Sequence, residues 1–288
     1  MKYYVANFQI KDAPSIGDCR DLLATMASEA GFESFEETDE GLNGYVQQSM
    51  LDESKLRELL GDFPIEGVKI TYTLSQVEDK DWNEQWENEG FEPIVVGDRC
   101  VIHDTKHQAD AALTGGKDLL DITIEAKQAF GTGTHETTRL IVGQLLQMDL
   151  KGKRVLDCGC GTGILGIVAS RMGAQSVVGY DIDEWSVENA RHNAELNGVR
   201  NMEVLEGNQS VLSHVSGIFD VVLANINRNV LMADMPAMKE VMSHEGILIL
   251  SGFYAEDGIM IAEKAGSLGL SLSKTSSENN WCMLLFNA

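Results

Sequence analysis

Apolar and polar residues follow two different periods in the first part of the chain. Residues 3–10 alternate as a β-strand does, and residues 16–30 place apolar side chains at the spacing of an α-helix. Residues 34–50 are typical of two further strands. We predict the turn between these strands at three residues that favour turns: Gly41, Asn43 and Gly44.

The same region continues with a second helix and a fourth strand. Asp52 stands where an N-cap is expected, just before a short helical segment, and residues 68–77 alternate as a strand. The resulting order, βαββαβ, is that of a ferredoxin-like α+β sandwich. We therefore expect a small ferredoxin-like domain over residues 1–78. That fold hosts many functions, so the pattern suggests only a recognition domain.

A charged segment separates this region from the rest of the chain. Residues 79–92 contain Trp82 and Trp86, which would share one face of a helix because they are four residues apart. We interpret the segment as a linker helix docked by the two tryptophans, with substrate contact as the alternative. The remaining domain then spans residues 93–288.

Strands and helices alternate from Lys153 onward. This alternation predicts an α/β domain with a parallel, doubly wound sheet that binds its ligands at the carboxyl ends of the strands. The last two strands, 270–276 and 281–287, have no helix between them. We expect them to form an antiparallel hairpin at one edge of the sheet.

Composition places the chain among soluble intracellular proteins. Hydrophobic residues make up 43% of the sequence, and neither a membrane-spanning apolar run nor a signal peptide is evident. The five cysteines are scattered and predict no disulfide framework. Cys158 and Cys160 are interpreted as small buried loop residues, and no metal site is expected.

The charge of the chain limits its partners. Lys and Arg number 22 against 45 Asp and Glu, a formal net charge of -23. Without a basic patch, such a chain is poorly suited to hold a nucleic-acid backbone. The acidic excess either steers a basic partner or only keeps the protein soluble, and the sequence leaves both interpretations open.

Two overlapping glycine patterns follow the first core strand. Residues 161–166 read G-x-G-x-x-G, which is typical of dinucleotide binding, whereas residues 157–163 read D-x-G-x-G-x-G, which suits a nucleoside without pyrophosphate. The carboxylate of Asp157 would repel a pyrophosphate and attract an ammonium or sulfonium group. Asp157 therefore favours the second pattern, and its side chain could bind loop amides at the same time.

Further polar residues end the next strands. Asp181 ends the second core strand, where a carboxylate can accept both ribose hydroxyls, and Asp183 is expected to cap the helix that follows. Glu206 and Asn208 end the third strand, and Asn208 could either read an adenine edge or serve as a turn residue. Asn225 ends the fourth strand, where its amide could bind the cofactor or position a nucleophile.

A second glycine loop precedes the first helix of the domain. It spans residues 129–138 and carries Phe130, His135 and Thr138. A single histidine is usually structural, so we expect His135 to support the loop, with contact to the chemistry as the alternative.

These motifs together resemble the bacterial ribosomal protein L11 methyltransferase family. The resemblance rests on "AFGTGTHETT", "VLDCGCGTGILGI", "GYDID" and "LANI", in this order after a small α/β domain, and it covers nearly the whole chain. It implies a class I methyltransferase fold with a seven-stranded Rossmann-like sheet, S-adenosylmethionine as the cofactor, a cytoplasmic location, and methylation of lysine side chains and the α-amino group of a large-subunit ribosomal protein.

The resemblance also implies a set of cofactor contacts and one departure. Carried over by position, the cofactor-binding residues are Thr138, Gly159, Gly161, Asp181 and Asn225. The N-terminal domain would recognise the substrate. Members of the family usually carry Pro-Gly before the Phe of the glycine loop, where this chain has Ala126 and Lys127. That difference affects the entrance of the loop rather than the cofactor site.

Two other classes of function remain as alternatives to methyl transfer. An NAD-dependent oxidoreductase would use the 161–166 pattern, but Asp157 disfavours it, and tight NADH binding would be its signature. A non-catalytic sensor would bind the adenosyl compound without turnover. A methyltransferase of another substrate is a third alternative, although the Pro-Pro-aromatic that follows the strand-end Asn in adenine and glutamine methyltransferases is missing after Asn225.

Overall fold

The structure is a computed structural model, and backbone contacts divide it into two compact units. One unit is Met1–Trp82 and the other is Asn83–Ala288. The residues it describes are 3–48, 50–61, 63–65, 67–76, 90–110, 113, 115–116, 119–127, 131–215 and 217–288.

The N-terminal unit is a four-stranded antiparallel sheet with two helices. Its elements are β1 (Tyr3–Lys11), α1 (Ile16–Ser28), β2 (Ser34–Thr38), β3 (Gly41–Gln47), α2 (Glu53–Gly61) and β4 (Lys69–Gln76). The strands lie in the order β2-β3-β1-β4. The predicted order βαββαβ and the Asp52 cap, which accepts the Lys55 amide at 2.9 Å, are both present. The ferredoxin-like class itself stays a prediction.

The predicted turn in this unit is wrong. Gly41, Asn43 and Gly44 lie inside β3, and the turn falls at residues 39–40. A Cβ on Gly44 would stand 2.9 Å from the Phe32 ring and 3.1 Å from the Phe8 ring. The glycine is therefore needed for aromatic side chains to pack closely on the strand, which local turn propensity does not reveal.

The second unit begins with a small sheet and a helix. Strand β5 (Ile94–Val96) pairs antiparallel with β6 (Cys100–His103), and β6 pairs parallel with β7 (Leu120–Thr123). Helix α3 (Glu136–Leu145) follows the second glycine loop.

The rest of this unit alternates strands and helices around a seven-stranded sheet. The elements are β8 (Arg154–Cys158), α4 (Ile164–Arg171), β9 (Ser176–Asp181), α5 (Glu184–Leu196), β10 (Met202–Glu206), β11 (Phe219–Asn225), α6 (Arg228–Glu240), β12 (Met242–Tyr254), α7 (Gly258–Ser267), β13 (Ser271–Glu278) and β14 (Trp281–Asn287). Short 3₁₀ turns occupy Gln209–Ser213 and Ala255–Asp257.

The order of strands places the carboxyl ends of β8 and β11 at the centre of the sheet. The order is β10-β9-β8-β11-β12-β14-β13, with the first five strands parallel. Strand β14 runs antiparallel to both β12 and β13, so the predicted edge hairpin is confirmed. The chain order reverses between β8 and β11, which is where doubly wound sheets bind their ligands.

Successive side chains along each strand point to opposite faces of the sheet and pack in two hydrophobic layers. In β11, Val221 and Leu223 pack in the layer that contains α3 and α4, whereas Val222 and Ala224 pack in the layer that contains α6 and α7. Because both faces of the sheet are covered, apolar residues occupy most positions of the central strands, such as 221–224 in β11. This explains why their sequences read as continuous hydrophobic runs.

The predicted linker helix falls almost entirely outside the described residues. Trp82, Trp86 and residues 79–89 of the predicted linker helix lie outside the described residues, and residues 90–92 are not helical.

Among the described helices, none combines the length and hydropathy needed to cross a membrane.

Candidate active site

The loop between β8 and α4 needs its glycines. Gly159, Gly161 and Gly163 adopt φ values of 65°, 53° and 80°, in the left-handed region that other residues rarely occupy. A Cβ on Gly159 would also stand 2.4 Å from Cγ2 of Ile226. The loop therefore passes close beneath the end of β11 and leads into the amino end of α4.

The last glycine of the G-x-G-x-x-G pattern has a packing role. A Cβ on Gly166 would lie 2.8 Å from Cε of Met202 and 3.0 Å from Cγ1 of Val177. Gly166 thus allows α4 to approach the sheet closely. This accounts for the residue without a dinucleotide.

Asp157 is a buried carboxylate with one unused oxygen. Its side chain is 1% exposed, and its Oδ2 accepts the Gly166 amide at 2.9 Å. Its Oδ1 has no hydrogen-bond partner within the described part of the chain. Burial, helped by the charge of Asp181, raises the pKa of Asp157 to about 7. A cationic donor would satisfy this oxygen and stabilise the charged form.

Backbone amides orient the carboxylate of Asp181 at the end of β9. Oδ2 accepts the Gly161 amide at 2.9 Å, and Oδ1 accepts the Asp183 amide at 3.1 Å. Each oxygen keeps a further acceptor site, so two vicinal hydroxyls could donate to this side chain. Asp183 caps α5 as predicted, because its Oδ2 accepts the Ser186 amide.

The end of β10 offers a weaker case for nucleoside binding. The side-chain oxygen of Asn208 accepts the Ser210 amide at 3.0 Å and caps the 3₁₀ turn. This geometry supports the turn interpretation of Asn208. Contact with an adenine edge by Asn208 or Glu206 stays a prediction.

The structure brings two separate motifs together at Asn225. Nδ2 of Asn225 lies 3.4 Å from Oγ1 of Thr138, although the residues are 87 positions apart. Thr138 is 1% exposed and sits in the first turn of α3. This contact uses one end of the Asn225 amide, and its oxygen accepts no bond from the described residues.

The second glycine loop packs against the first. Oγ1 of Thr162 donates to the carbonyl of Gly131 at 2.6 Å. Gly133 lies against Ile102 and Ile164, where a Cβ would approach to 2.9 Å and 3.1 Å. Sequence reasoning missed Thr162 as the residue that joins the loops. Phe130, which precedes this contact, lies outside the described residues.

Two further residues that sequence reasoning missed are the buried asparagines of α5. Asn193 bonds both the amide and the carbonyl of Glu125 and also donates to the carbonyl of Thr162. Asn197 bonds both backbone groups of Thr123 in the same way. Asparagines four positions apart on a helix signal one polar stripe, and here that stripe supports the strand that precedes the glycine loop.

The ring of His135 has a structural role, although about half of the side chain is exposed. Its Nδ1 accepts the Thr137 amide and caps α3, as one of the two interpretations predicts. Its ring packs edge-on against Trp281, with the centroids 4.6 Å apart.

Comparison with known proteins identifies the family. The sequence profile described as "Ribosomal protein L11 methyltransferase (PrmA)" matches residues 16–288. The chain belongs to the ribosomal protein L11 methyltransferase family. Relatives with that name include those of Phocaeicola vulgatus, 44% identical, and Bacteroides fragilis, 46% identical, each over 99% of both chains.

More distant members of the L11 methyltransferase family match almost as completely. The relative from Chlorobaculum parvum is 31% identical over 93% of this chain and 92% of its own. The crystal structure of a ribosomal protein L11 methylase from Lactobacillus delbrueckii subsp. bulgaricus superposes with a TM-score of 0.62 at 26% identity. It covers 68% of this chain and 98% of that chain. The seven-stranded class I methyltransferase fold is therefore confirmed.

The residues of this L11 methyltransferase family member fit S-adenosylmethionine, the cofactor of the family. The unpartnered oxygen of Asp157 suits an ammonium group, and the open acceptor sites of Asp181 suit ribose hydroxyls. The D-x-G-x-G-x-G interpretation is thus the better one, and family membership replaces the oxidoreductase alternative.

Proposed function

We propose that this chain transfers methyl groups from S-adenosylmethionine to amines of ribosomal protein L11, at lysine side chains and the α-amino group. The observation that carries the proposal is the convergence of Asp157, Asp181 and the Thr138–Asn225 contact at one edge of the sheet. Relatives at 43–46% identity over the whole chain bear the name of this substrate.

The proposed cofactor contacts follow the same edge. Gly159 and Gly161 would pass beneath the nucleoside, and Asp181 would accept the ribose hydroxyls. Thr138 and Asn225 would bind the end that carries the methyl group. The support for this assignment is that all five residues lie in the two loops and two strand ends that meet there.

The residues around Asn225 have a simple chemical task. Bound S-adenosylmethionine supplies a sulfonium methyl group that is already activated. The oxygen of Asn225 accepts an N–H of the incoming amine and aims the nitrogen lone pair at that methyl group. The amine must be neutral to react, and partial desolvation beside a positive charge lowers its pKa from about 10.4. Its proton passes to water, so no dedicated base is required.

Two further parts of the proposal concern the rest of the chain. Phe130 would hold the amine by a cation–π contact at the loop entrance. The N-terminal unit would recognise the protein substrate, with the segment 79–92 allowing different amines to reach one site. The named substrate of the relatives is ribosomal, which supports action in the cytoplasm.

A labelling experiment tests the proposal. Purified protein is incubated with methyl-labelled S-adenosylmethionine and undermethylated ribosomal proteins, and mass spectrometry locates the label. Label on lysine and α-amino groups of L11 is the expected result. Asp181→Ala should abolish it, whereas Asp149→Ala, at an exposed aspartate of the same unit, should not.

Two other results would contradict the proposal, each in a different part. Label on another protein would assign a different substrate. Cofactor binding without any transfer would favour the sensor alternative over catalysis.

A further inference from the structure

A cleft of about 400 Å³ lies within the second unit, between helix α3, strand β13 and the end of strand β5. Its volume is within the range of small-molecule sites, about 300–1,000 Å³. The buried side chains of Val96 and Met283 line it together with Leu140, and polar side chains of α3 and β13 complete the lining. An apolar surface with a few polar groups is the usual composition of a ligand site.

Gly143 keeps the α3 wall of the cleft open. It lies within α3, where glycine is less favourable than alanine. A Cβ at this position would meet nothing closer than Cγ1 of Val96, at 3.7 Å. Packing within the protein therefore does not require the glycine, whereas a larger side chain would occupy the cleft.

Lys274 places an ammonium group in the wall of the cleft. Its Nζ donates to Oε1 of Gln144 at 2.7 Å and to Oε1 of Gln147 at 3.3 Å. Both acceptors are neutral, and no carboxylate of the described residues lies within ion-pair distance of this Nζ. The ammonium group is therefore held in place with its charge uncompensated. Because it has three N–H donors, one remains for a ligand.

Gln144 supplies a second donor beside Lys274. An ammonium group only donates, so the amide oxygen of Gln144 must face it. The Nε2 group of this buried glutamine then donates to none of the described residues. Two neighbouring donors match the two oxygens of one carboxylate.

The other ionic groups of the cleft compensate each other. Arg139 donates to Oε1 of Glu278 at 2.5 Å, and it also donates to the carbonyl of Thr134. Lys274 therefore leaves the lining with one uncompensated positive charge, which suits a monoanion. The net charge of -23 on the whole chain disfavours ligands with more negative charge.

The ammonium group of the cleft is separate from the site of methyl transfer. Lys274 lies in the same cross-strand row as Leu223 of β11, two residues before Asn225. Three strand spacings, about 14 Å, separate β13 from β11 in the sheet. None of the five proposed cofactor contacts lines the cleft.

We propose that this cleft is a binding site for a small organic carboxylate with an apolar body. The carboxylate accepts hydrogen bonds from Nζ of Lys274 and Nε2 of Gln144. The apolar body packs against Val96 and Met283, in the space that Gly143 leaves. The site goes beyond the proposed function, because no step of methyl transfer uses it.

Binding is measured by nuclear magnetic resonance on the full-length protein. Protein with methyl-labelled methionine is saturated with S-adenosylhomocysteine, which occupies the cofactor site, and is titrated with phenylpropionate. Met283→Leu assigns the Met283 resonance, which is expected to shift. The affinity should be about tenfold higher than for uncharged phenylpropionamide, because charge-assisted hydrogen bonds are stronger than neutral ones. Equal affinities, or no shift at Met283, would overturn the proposal.

Substitution of Lys274 tests the charge. Lys274→Met should lower the affinity for phenylpropionate to that for the amide, whereas Lys274→Arg should keep the preference because it keeps the charge. Lys151→Met, at an exposed lysine of the same unit, is the control and should change neither affinity. An unchanged preference in Lys274→Met would refute the role of this ammonium group.

Substitution of Gly143 tests the location. Gly143→Leu should abolish binding of both compounds by filling the cleft, with a melting temperature no lower than that of the wild type, since leucine favours a helix more than glycine does. Gly266→Leu, where a Cβ meets nothing within 4 Å, should bind normally. Wild-type affinity in a folded Gly143→Leu variant would place the ligand outside the cleft and refute the proposal.

A phosphate probe tests the choice of anion. Phenylethyl phosphate should bind no more tightly than phenylpropionate, because its second negative charge has no partner in the cleft. Tighter binding of the phosphate would overturn the assignment of a carboxylate. None of these experiments measures methylation of L11, so their outcome is independent of the proposed function.

Discussion

Two residues at the loop after β8 carry the predictions at the scale of single residues: Asp157, a buried carboxylate, and Gly159, which has a left-handed backbone conformation. Asp157 is the clearest case, because its pKa is raised to about 7 by burial. In the unfolded chain an aspartate has a pKa of about 3.9. The folded protein therefore binds the Asp157 proton more tightly than the unfolded chain does. Stability from this residue is present below about pH 4 and is lost as the pH rises to about 7.

We predict that this dependence of the free energy of unfolding on pH disappears in Asp157→Asn. Between about pH 5 and about pH 8, the free energy of unfolding of the cofactor-free protein should fall by about 2 kcal/mol more in the wild type than in the variant. Urea denaturation at the two pH values measures the difference. Parallel pH profiles for the two proteins would show that Asp157 is not the titrating group.

A second prediction at this scale concerns Gly159. In Gly159→Ala the new residue would have to adopt a φ of 65°, and its Cβ would lie only 2.4 Å from Ile226. The substitution should therefore lower the free energy of unfolding by about 1–3 kcal/mol and weaken cofactor binding. Thermal denaturation and calorimetric titration check the two effects. Gly266→Ala is the control, because a Cβ there meets nothing within 4 Å, and helix propensity predicts a slight stabilisation.

Individual elements depend on contacts between segments that lie far apart in the chain. The alternation after Lys153 and the cap at Asp183 predict a helix that begins just after this aspartate, and the structure has α5 there, at Glu184–Leu196. Its polar stripe could not be interpreted in the same way, since the backbone groups that it bonds belong to residues 123–125. Hydrophobic periodicity predicts an element, and only packing shows what its buried polar residues bind.

At the element scale we predict a large cost for Asn193→Ala. The substitution leaves both backbone groups of Glu125 without partners, so the free energy of unfolding should fall by about 2–4 kcal/mol. Hydrogen exchange should report loss of protection in residues 120–127. Glu195→Ala, on the exposed face of the same helix, should leave both measurements unchanged. Equal losses in the two variants would remove the special role of Asn193.

The whole molecule carries a formal net charge of -23, which bears on the association rate with any basic substrate. This charge either steers a basic partner or only keeps the protein soluble. If it steers, kcat/KM for L11 should fall severalfold as the ionic strength rises from about 0.05 M to about 0.3 M, because salt screens long-range attraction. The Kd for the cofactor should change little. A salt-independent kcat/KM would favour solubility alone.

Much of the fold was determined by local patterns in the sequence. Alternation of strands and helices after Lys153 required a doubly wound sheet, and the absence of a helix before Trp281 required an edge hairpin. The positions of Asp157 and Asp181 at strand ends followed from the same pattern. These features depend on residues close together in the chain, so periodicity and end signals are sufficient to predict them.

Other features were decided only by the tertiary structure. Gly44 lies in a strand because aromatic rings from other segments pack against it, and Thr138 meets Asn225 across 87 positions. The stacking of Tyr254 on Trp281 likewise depends on the pairing of β12 with β14. Sequence periodicity relates only residues that are close together in the chain, so it cannot predict these contacts. The distance between the contacting residues is set by how strands pair and how helices pack.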